Sequence, residues 1–447
     1  MPELSERERI NEQFDELWPL TRSITGPGIE KSLDILQSDI PIDIEYVSSG
    51  TEVFDWEVPM EWRIREARLI GPDGTVYADF DETNLAVVNY SEPVDQWLSL
   101  EELDPHLYTA PDVPDATPYV TSYYDREWGF CLPHSTYENL PDGKYHAYID
   151  SEFIDGRLPF GHTTIEGESN EEVLLSSYLC HPSLANNELS GPLVLSMLYN
   201  RIKQWDQQHY TYRFVLAPET IGSLCYLDKY GDHLQQHLVS GAVLTCLGGP
   251  AESLRYQYSR NGSSLLDEVV RNQSNYGEYP LRTTEFTPTG GSDERQYCSP
   301  GFDLPIGQFA RTVYGDYDGY HNSNDTKDFM TIDALVRSAD EIESVLTTLK
   351  IGGGFRNTEP YGEPMLSKYD LYPSRNAPET RNNSTDNIVD DDRRFLNAVL
   401  RILNRSDGTE RMVEIANDYE YSIDEIAPIV AILQRKGLLQ RISKYDL

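Results

Sequence analysis

The sequence predicts an α/β protein whose mixed sheet carries helices on both faces, with an inserted β-rich domain and a C-terminal winged helix. Three observations predict it. Apolar runs typical of buried strands alternate with segments of helical period between residues 150 and 350. Short β-like runs separated by turns occupy residues 46–149. Helical segments followed by a short apolar strand occupy residues 393–447.

Length and composition exclude several classes of protein. A chain of 447 residues suits about two to four domains. Its hydrophobic content of 39% is enough for a sizeable core, which excludes a wholly disordered chain. No apolar run approaches the roughly 18–20 residues of a membrane span. The N-terminus is charged from the start and does not resemble a signal peptide, so we expect a cytoplasmic location.

The charge is strongly negative. Lys and Arg number 36 and Asp and Glu 75, so the net charge is 36 − 75 = −39. Phosphate backbones and anionic lipids repel such a chain, so we expect no nucleic-acid partner and no membrane association. A carboxylate-rich, lysine-poor surface is typical of proteins that work in high salt. A halophilic source is one hypothesis, and an acidic cytosolic protein is the other.

The cysteines argue against two kinds of site. They are five in number and widely spread, without a CxxC pair. This pattern disfavours a disulfide framework and a thiolate zinc site, and it favours small buried hydrophobic side chains. The cysteines are Cys131, Cys180, Cys225, Cys246 and Cys298.

The elements follow in chain order. Ser5 and Glu8 have the spacing of a capping box, which predicts a helix over about residues 5–20. A second helix is predicted after Gly28. The β-rich segment contains a predicted hairpin around residues 71–74 and predicted strands over residues 85–88 and 119–124.

Strands and helices then alternate. Residues 1–45 and 150–350 form the predicted α/β domain, and residues 46–149 form the inserted β-rich domain. The predicted strands cover residues 173–178, 214–217 and 242–246, and the predicted helices begin near Pro192, Leu265 and Thr331.

The C-terminal part contains a predicted linker over residues 351–392 and a winged helix over residues 393–447. The third helix of this unit starts at Asp424 and Glu425 rather than at basic residues. A DNA-reading helix contacts bases mainly with its N-terminal part. We therefore expect this unit to pack on protein, with a homo-oligomer or a protein partner as the candidates.

Metal-ligand residue types follow several of the predicted strands. They are His181, Glu219, the pair Asp293 and Glu294, and His321. Open α/β sheets bind their ligands at the carboxyl ends of strands. A single histidine beside a turn is more often structural, but the order of these residues along one domain favours a common site.

Other residues have simpler interpretations. Cys180 and His181 are adjacent, so we expect their side chains to point apart rather than form a catalytic pair. Ser190 precedes a helix and suits a cap better than a nucleophile. The aromatic segments 56–62 and 119–128 are suited either to stacking on sugar rings or, more commonly, to packing between domains.

Taken together, these motifs resemble the zinc-aminopeptidase-like proteins of bacterial and archaeal polysaccharide-biosynthesis loci. The resemblance covers nearly the whole chain and implies a zinc-aminopeptidase-like mixed sheet with an inserted β domain and a winged helix. Its implied activity is peptidase- or amidase-like hydrolysis of a small amide or peptide. The motifs are residues 22–26, 54–56, 123–124, 128–131, 180–183, 218–223, 291–295 and 320–321.

The resemblance also implies a site. Glu219 matches a ligand glutamate and His321 a late ligand histidine. Four other family positions depart from the pattern, because a two-metal peptidase carries a histidine, two aspartates and a glutamate there. This sequence has Tyr178, Asn187, Gly249 and Pro218 at those positions.

These departures disfavour a two-metal site and leave two alternatives. In the first, one zinc ion at most binds His181, Glu219 and His321. Glu188, Asp293 or Glu294 then acts as general base or supports the ligands. In the second, no metal binds, Glu219 caps a helix and the histidines are structural.

Three functions correspond to these alternatives. The first is a zinc-dependent peptidase- or amidase-like hydrolase, linked by the resemblance to polysaccharide biosynthesis. The second is a non-catalytic binding or assembly protein on an aminopeptidase fold. The third, a winged-helix transcription regulator, is disfavoured by the net charge of −39 and by the acidic start of the third helix.

Overall fold

The structure is a computed structural model that describes residues 4–277, 280–372 and 392–443. Within these residues no helix combines the length and the apolar character needed to cross a membrane. The α-helices are Glu6–Leu17 (α1), Pro27–Gln37 (α2), Leu100–Leu103 (α3), His134–Tyr137 (α4), Ser190–Ile202 (α5), Ile221–His237 (α6), Leu265–Tyr276 (α7), Glu294–Tyr297 (α8), Ile332–Gly352 (α9), Asp392–Arg405 (α10), Met412–Asp418 (α11) and Ile423–Arg435 (α12).

The strands form one large sheet and several smaller ones. They are Asp43–Ser48 (β1), Glu52–Val53 (β2), Trp56–Glu57 (β3), Glu61–Ile70 (β4), Val76–Asp79 (β5), Val94–Ser99 (β6), Leu107–Tyr108 (β7), Phe130–Cys131 (β8), Lys144–Ile154 (β9), Arg157–Ile165 (β10), Glu172–Tyr178 (β11), Thr211–Ala217 (β12), Leu238–Leu244 (β13), Arg255–Gln257 (β14), Arg282–Thr284 (β15), Ile306–Ala310 (β16), Gly354–Asn357 (β17), Asp407–Arg411 (β18) and Leu439–Arg441 (β19).

The main sheet is mixed and confirms the predicted fold class. Its eight strands lie in the order β1-β10-β12-β11-β13-β16-β14-β15, and the four consecutive strands β12, β11, β13 and β16 are parallel. Along β11, Val173 and Leu175 belong to one hydrophobic cluster, whereas Leu174 belongs to the other. The sheet is therefore buried on both faces, which explains why its central strands read as continuous apolar runs.

Helices cover these two faces in the predicted way. Residues of α1, α2, α5, α7 and α9 contribute to the first cluster, and residues of α6 and α8 to the second. The predicted capping box of α1 is present, since the Ser5 hydroxyl accepts from the Glu8 backbone N–H and the Glu8 carboxylate accepts from the Ser5 N–H. The predicted helices after Gly28 and near Leu265 and Thr331 are α2, α7 and α9.

The inserted segment has its own antiparallel sheet in the order β5-β4-β9-β6. The predicted hairpin around residues 71–74 is present, because β4 and β5 pair on either side of it. Two strands cross the predicted limits of 46 and 149. Strand β1 pairs with β10 in the main sheet, and β9 continues the inserted sheet to Ile154.

Two strand predictions in this segment are wrong. Residues 84–86 form a turn of 3₁₀-helix, in which the Thr83 hydroxyl accepts from the Leu85 N–H at 3.3 Å. Residues 119–124 do not form a strand. Their backbone makes separate hydrogen bonds to other segments, such as the one from the Tyr119 N–H to the His321 carbonyl (2.7 Å). Their aromatic side chains line a cleft of the α/β domain instead of alternating across a sheet.

The C-terminal unit contains helices α10, α11 and α12 and a sheet in the order β18-β17-β19. Its central strand β17 lies in the segment predicted as a linker. Glycines at 352–354 indicated a loop, but Gly354 and Phe355 are buried and pair with β18 and β19. The predicted linker residues 373–391 lie outside the described residues.

The winged helix packs against the α/β domain. Helices α11 and α12 both contact α7 and α9. Asn272 of α7 is fully buried at this junction. Its amide nitrogen donates to Asn417 Oδ1 (2.8 Å) and to the Tyr421 carbonyl (2.9 Å), and its Oδ1 accepts from the Ile423 N–H (2.8 Å). The Asn272 side chain therefore bonds both to the segment that connects α11 with α12 and to the first residue of α12.

Replacing Asn272 tests this attachment. Asn272→Ala leaves buried donors and acceptors unpaired, and we expect it to lower the free energy of unfolding by about 1–3 kcal/mol. Amide hydrogen exchange should accelerate in α11 and α12 but not in β11. The exposed Asn139, whose side chain donates to the Ser135 carbonyl, provides the control variant Asn139→Ala. Equal exchange in both variants would contradict this role.

Candidate functional site

The parallel strands of the main sheet end around one cavity. Its volume is about 340 Å³, within the size range of small-molecule sites. The three predicted metal ligands all line it, and the inserted domain supplies most of the remaining wall. The lining residues are Ile24, Trp56, Tyr119, Thr121, Tyr123, Tyr124, Cys180, His181, Glu219, Thr220, Ile221 and His321.

The orientation of His181 is fixed from behind by Glu188. His181 Nδ1 lies 2.8 Å from Glu188 Oε2, and the other oxygen, Oε1, accepts from the Cys180 N–H at 2.6 Å. The imidazole Nε2 lies 3.9 Å from Glu219 Oε2. A carboxylate on one ring nitrogen with the other nitrogen free is the arrangement that metal-ligating histidines use.

A buried arginine holds this pair in place. Arg22 and Glu188 have fully buried side chains, and Arg22 Nε lies 3.5 Å from Glu188 Oε1. The same Nε donates to the His181 carbonyl at 2.8 Å. Burial by itself would lower the pKa of His181, but Cys180, Tyr119 and the hydrogen bond to Glu188 raise it well above its usual value, so a metal ion at Nε2 would have to displace a proton.

Cys180 and His181 do not point apart as expected. Cys180 Sγ lies 3.5 Å from His181 Nδ1, because the chain leaves the strand at Tyr178 and no longer alternates there. They still do not form a catalytic pair. Burial raises the pKa of Cys180 to about 11, so the thiol stays protonated, and Nδ1 is held by Glu188.

Glu219 is a cleft residue and not a helix cap. Thr220 occupies the N-cap position of α6 without a side-chain cap bond. Glu219 Oε1 accepts from the Ser292 hydroxyl at 2.6 Å, and its side chain is 29% exposed. One carboxylate oxygen is therefore fixed by serine while the other faces His181.

His321 lines the cavity beside His181. Its ring centroid is 5.4 Å from that of His181, and Tyr119 contacts both rings edge-on. Burial and the nearby His181 lower the pKa of His321 to about 3. A neutral imidazole is the form that binds metal.

These three residues fit one zinc ion by donor type. Two imidazoles and one carboxylate are a common zinc set. Their donor atoms do not form a tight cluster, since among the described residues only Cys180, His181 and Glu188 form a group of three within 4.8 Å of one another. Within that group, Glu188 already accepts hydrogen bonds from the Cys180 N–H and from His181 Nδ1, so it fixes the orientation of the candidate ligand His181.

A second cation does not fit. Asn187 Nδ2 donates to the Tyr178 hydroxyl at 2.9 Å, and that hydroxyl lies 2.7 Å from Thr245 Oγ1. Asp325 fixes Asn187 by accepting its backbone N–H at 2.9 Å. At Gly249 a Cβ atom would lie 2.4 Å from Thr312 Oγ1, which leaves no room for a carboxylate.

The three predicted general bases do not line the cavity. The Glu188 carboxylate is hydrogen-bonded to His181 Nδ1. Asp293 accepts from the Thr220 N–H at 2.8 Å, and burial and the nearby Glu219 raise its pKa to about 8. Glu294 accepts from the Ser292 N–H, and burial raises its pKa to about 7. Each of these carboxyl groups bonds to a residue that lines the cavity or that contacts Glu219.

Unfavourable backbone conformations cluster around the cavity. Tyr123, Thr220, Cys246 and His321 have positive φ values of 28°, 64°, 51° and 55°. Non-glycine residues rarely adopt such values, and they concentrate at functional sites. Residue patterns alone did not indicate these backbone conformations, nor the supporting role of Arg22.

Arg22 provides a stability test of this arrangement. Removing one member of a buried ion pair leaves the other charge uncompensated, so we expect Arg22→Met to lower the free energy of unfolding by about 3–5 kcal/mol. Arg65→Met is the control, because the Arg65 side chain is 53% exposed where it pairs with Asp150, and its loss should cost far less than the loss of Arg22. Urea denaturation followed by fluorescence measures both. Similar losses in the two variants would contradict a central role for Arg22.

Known proteins share this architecture. A relative from Clostridium acetobutylicum, named for polysaccharide biosynthesis with an aminopeptidase-like domain, is 38% identical over 96% of this chain and 95% of its own. A crystal structure of a protein described as a peptidase from the same organism has a TM-score of 0.85 at 36% identity, covering 98% of this chain and 96% of that one.

A more distant structure shows the fold alone. The zinc aminopeptidase of Bacillus subtilis matches with a TM-score of 0.56 at 11% identity, over 76% of this chain and 93% of its own. The family model for a winged helix-turn-helix matches residues 354–441, which include β17. The model described as Domain of unknown function DUF4910 matches residues 11–351. The chain therefore belongs to the DUF4910 family of proteins with an aminopeptidase-like domain and carries a C-terminal winged helix.

Proposed function

We propose that the protein binds one zinc ion through His181, Glu219 and His321 and acts as a peptidase- or amidase-like hydrolase on a small amide. The observation that carries the proposal is the hydrogen bond that His181 Nδ1 donates to the Glu188 carboxylate, which leaves Nε2 facing Glu219 across 3.9 Å. Zinc at such a site supplies Lewis-acid polarisation of an amide carbonyl.

The residues of the chain have separate roles in this proposal. Glu188 orients His181, and Ser292 fixes one oxygen of Glu219, so little ligand reorganisation is needed on binding. Tyr119 lines the cavity beside both histidines, and burial raises the pKa of its phenol. A phenol that stays protonated is placed to donate a hydrogen bond to the carbonyl oxygen as negative charge develops there.

The name of the Clostridium relative suggests a setting. We propose that this protein also serves polysaccharide biosynthesis, where amide groups occur on modified sugars. The acidic composition does not conflict with such a substrate, because a neutral sugar amide is not repelled by a net charge of −39.

A second candidate function is a metal-containing binding protein without hydrolytic activity. It is favoured by one observation: Glu188, Asp293 and Glu294 are all absent from the residues that line the cavity. Pro218 also occupies the position where related peptidases carry a general base. Under this alternative the cleft holds an amide-bearing ligand without cleaving it.

Metal content tests the proposal. Protein purified in high salt without chelator should contain about one zinc per chain by elemental analysis, since His₂Glu sites bind a single ion. His321→Ala should lose the metal. His106→Ala is the matched control, because this histidine stacks on Trp128 in the inserted domain and should leave zinc unchanged.

Several outcomes are informative. Two zinc ions per chain would contradict the conclusion that a second cation does not fit beside Asn187. No zinc after zinc addition would contradict the proposed metal site. With one zinc bound, release of amine from aminoacyl and N-acetyl amides supports the hydrolase. Saturable binding of those amides without turnover supports the binding protein.

A further inference from the structure

The entrance of the cavity has an unusual surface. Trp56 and Tyr124 line the cavity yet remain 41% and 49% exposed, and their ring centroids lie 5.5 Å apart at an interplanar angle of 67°. Single exposed aromatic residues are common on protein surfaces. Two in edge-to-face contact at the opening of this cleft present two apolar ring faces, inclined to each other, to a ligand that enters.

The backbone holds these rings in place. Trp56 begins β3, which pairs with β2 across a tight turn at Phe54 and Asp55. Phe54 has a φ of 54°, and Tyr123, next to Tyr124, has a φ of 28°. Strand β2 also contacts α6, which begins directly after the Glu219 loop. The hairpin that carries Trp56 therefore contacts the helix that follows Glu219.

The wall between the aromatic pair and the histidines is polar but uncharged. It contains Thr121 and the hydroxyls of Tyr119 and Tyr123, which lie 2.9 Å apart and share a hydrogen bond. Among the described lining residues, carboxylate and imidazole groups occur only at Glu219, His181 and His321. The cavity thus combines aromatic faces, hydroxyl groups and a charged floor.

We propose that Trp56 and Tyr124 form a saccharide subsite, in which a pyranose ring stacks on the aromatic wall. The C–H groups on one face of a pyranose carry partial positive charge and pack against the negative face of an aromatic ring. Its hydroxyls would exchange hydrogen bonds with Tyr119, Tyr123 and Thr121. This inference rests on the proposed function, because an amide substituent of the sugar would then reach His181, Glu219 and His321.

The exposure of the rings favours a sugar over an apolar peptide side chain. An apolar side chain gains most when it is enclosed on all sides. Rings that remain 41% and 49% exposed cover only one face of a ligand and leave the other in water, which suits a pyranose whose edges carry hydroxyls. The peptide alternative becomes an outcome of the test.

Indole NMR of the full-length, zinc-loaded protein tests the subsite. The chain has six tryptophans, and loss of one indole N–H signal in Trp56→Phe assigns Trp56. The probes are methyl glucoside, methyl galactoside and their 2-acetamido forms, with leucinamide as the peptide-like ligand. We expect a sugar to shift the Trp56 signal and to leave that of Trp97 unchanged. Trp97 is 61% exposed and stacks on His146 in the inserted domain.

The variants separate this inference from the zinc site. Trp56→Ala should weaken sugar binding about tenfold and keep its zinc, whereas Trp97→Ala should change neither. If the protein binds no zinc, the metal proposal fails. A sugar-induced shift of the Trp56 signal in that protein would still support the subsite. Zinc-loaded protein in which no sugar shifts Trp56, or in which only leucinamide does, would overturn the subsite. Equal weakening by both alanine variants would also overturn it.

Discussion

The buried contact between Arg22, Glu188 and His181 is the interaction on which the site depends. It joins three parts of the chain: the segment before α2, the π-helical turn Ala185–Leu189 and the end of β11. Because Glu188 is fully buried, its charge is tolerable only with both partners present. The same contacts hold His181 Nε2 opposite Glu219. They therefore contribute both to the stability of the fold and to the geometry of the cleft.

The two halves of the peptidase-like site differ in chemistry. On one side, imidazoles and a carboxylate face an open cavity. On the other, neutral hydrogen bonds join Tyr178, Asn187 and Thr245, and Asn187 Oδ1 stays buried without a partner among the described residues. A cation needs anionic ligands that compensate its lost hydration, so only the first half suits a metal. The aromatic residues of the inserted domain line the cavity beside that half.

Much of this arrangement could be predicted from the sequence, and the exceptions have physical causes. The central strands were predictable because burial on both faces makes them continuous apolar runs. The long α9 was predictable because burial along one side leaves apolar residues at helical spacing. Residues 119–124 have the composition of a strand, but tertiary contacts with the cleft override that local preference. The strand at Gly354 was obscured by glycines, and its pairing partners lie more than 50 residues away. The candidate ligands could be named from residue type, whereas the supporting role of Arg22 follows from burial, which sequence does not report.

The measurement that tests the account most directly is anomalous X-ray diffraction at the zinc absorption edge, on crystals grown in high salt with zinc. The account predicts a single peak bounded by His181 Nε2, Glu219 Oε2 and the ring of His321, with Glu188 still bonded to His181 Nδ1. A peak beside Asn187 and Tyr178, or no peak between the two histidines at full zinc loading, would contradict it.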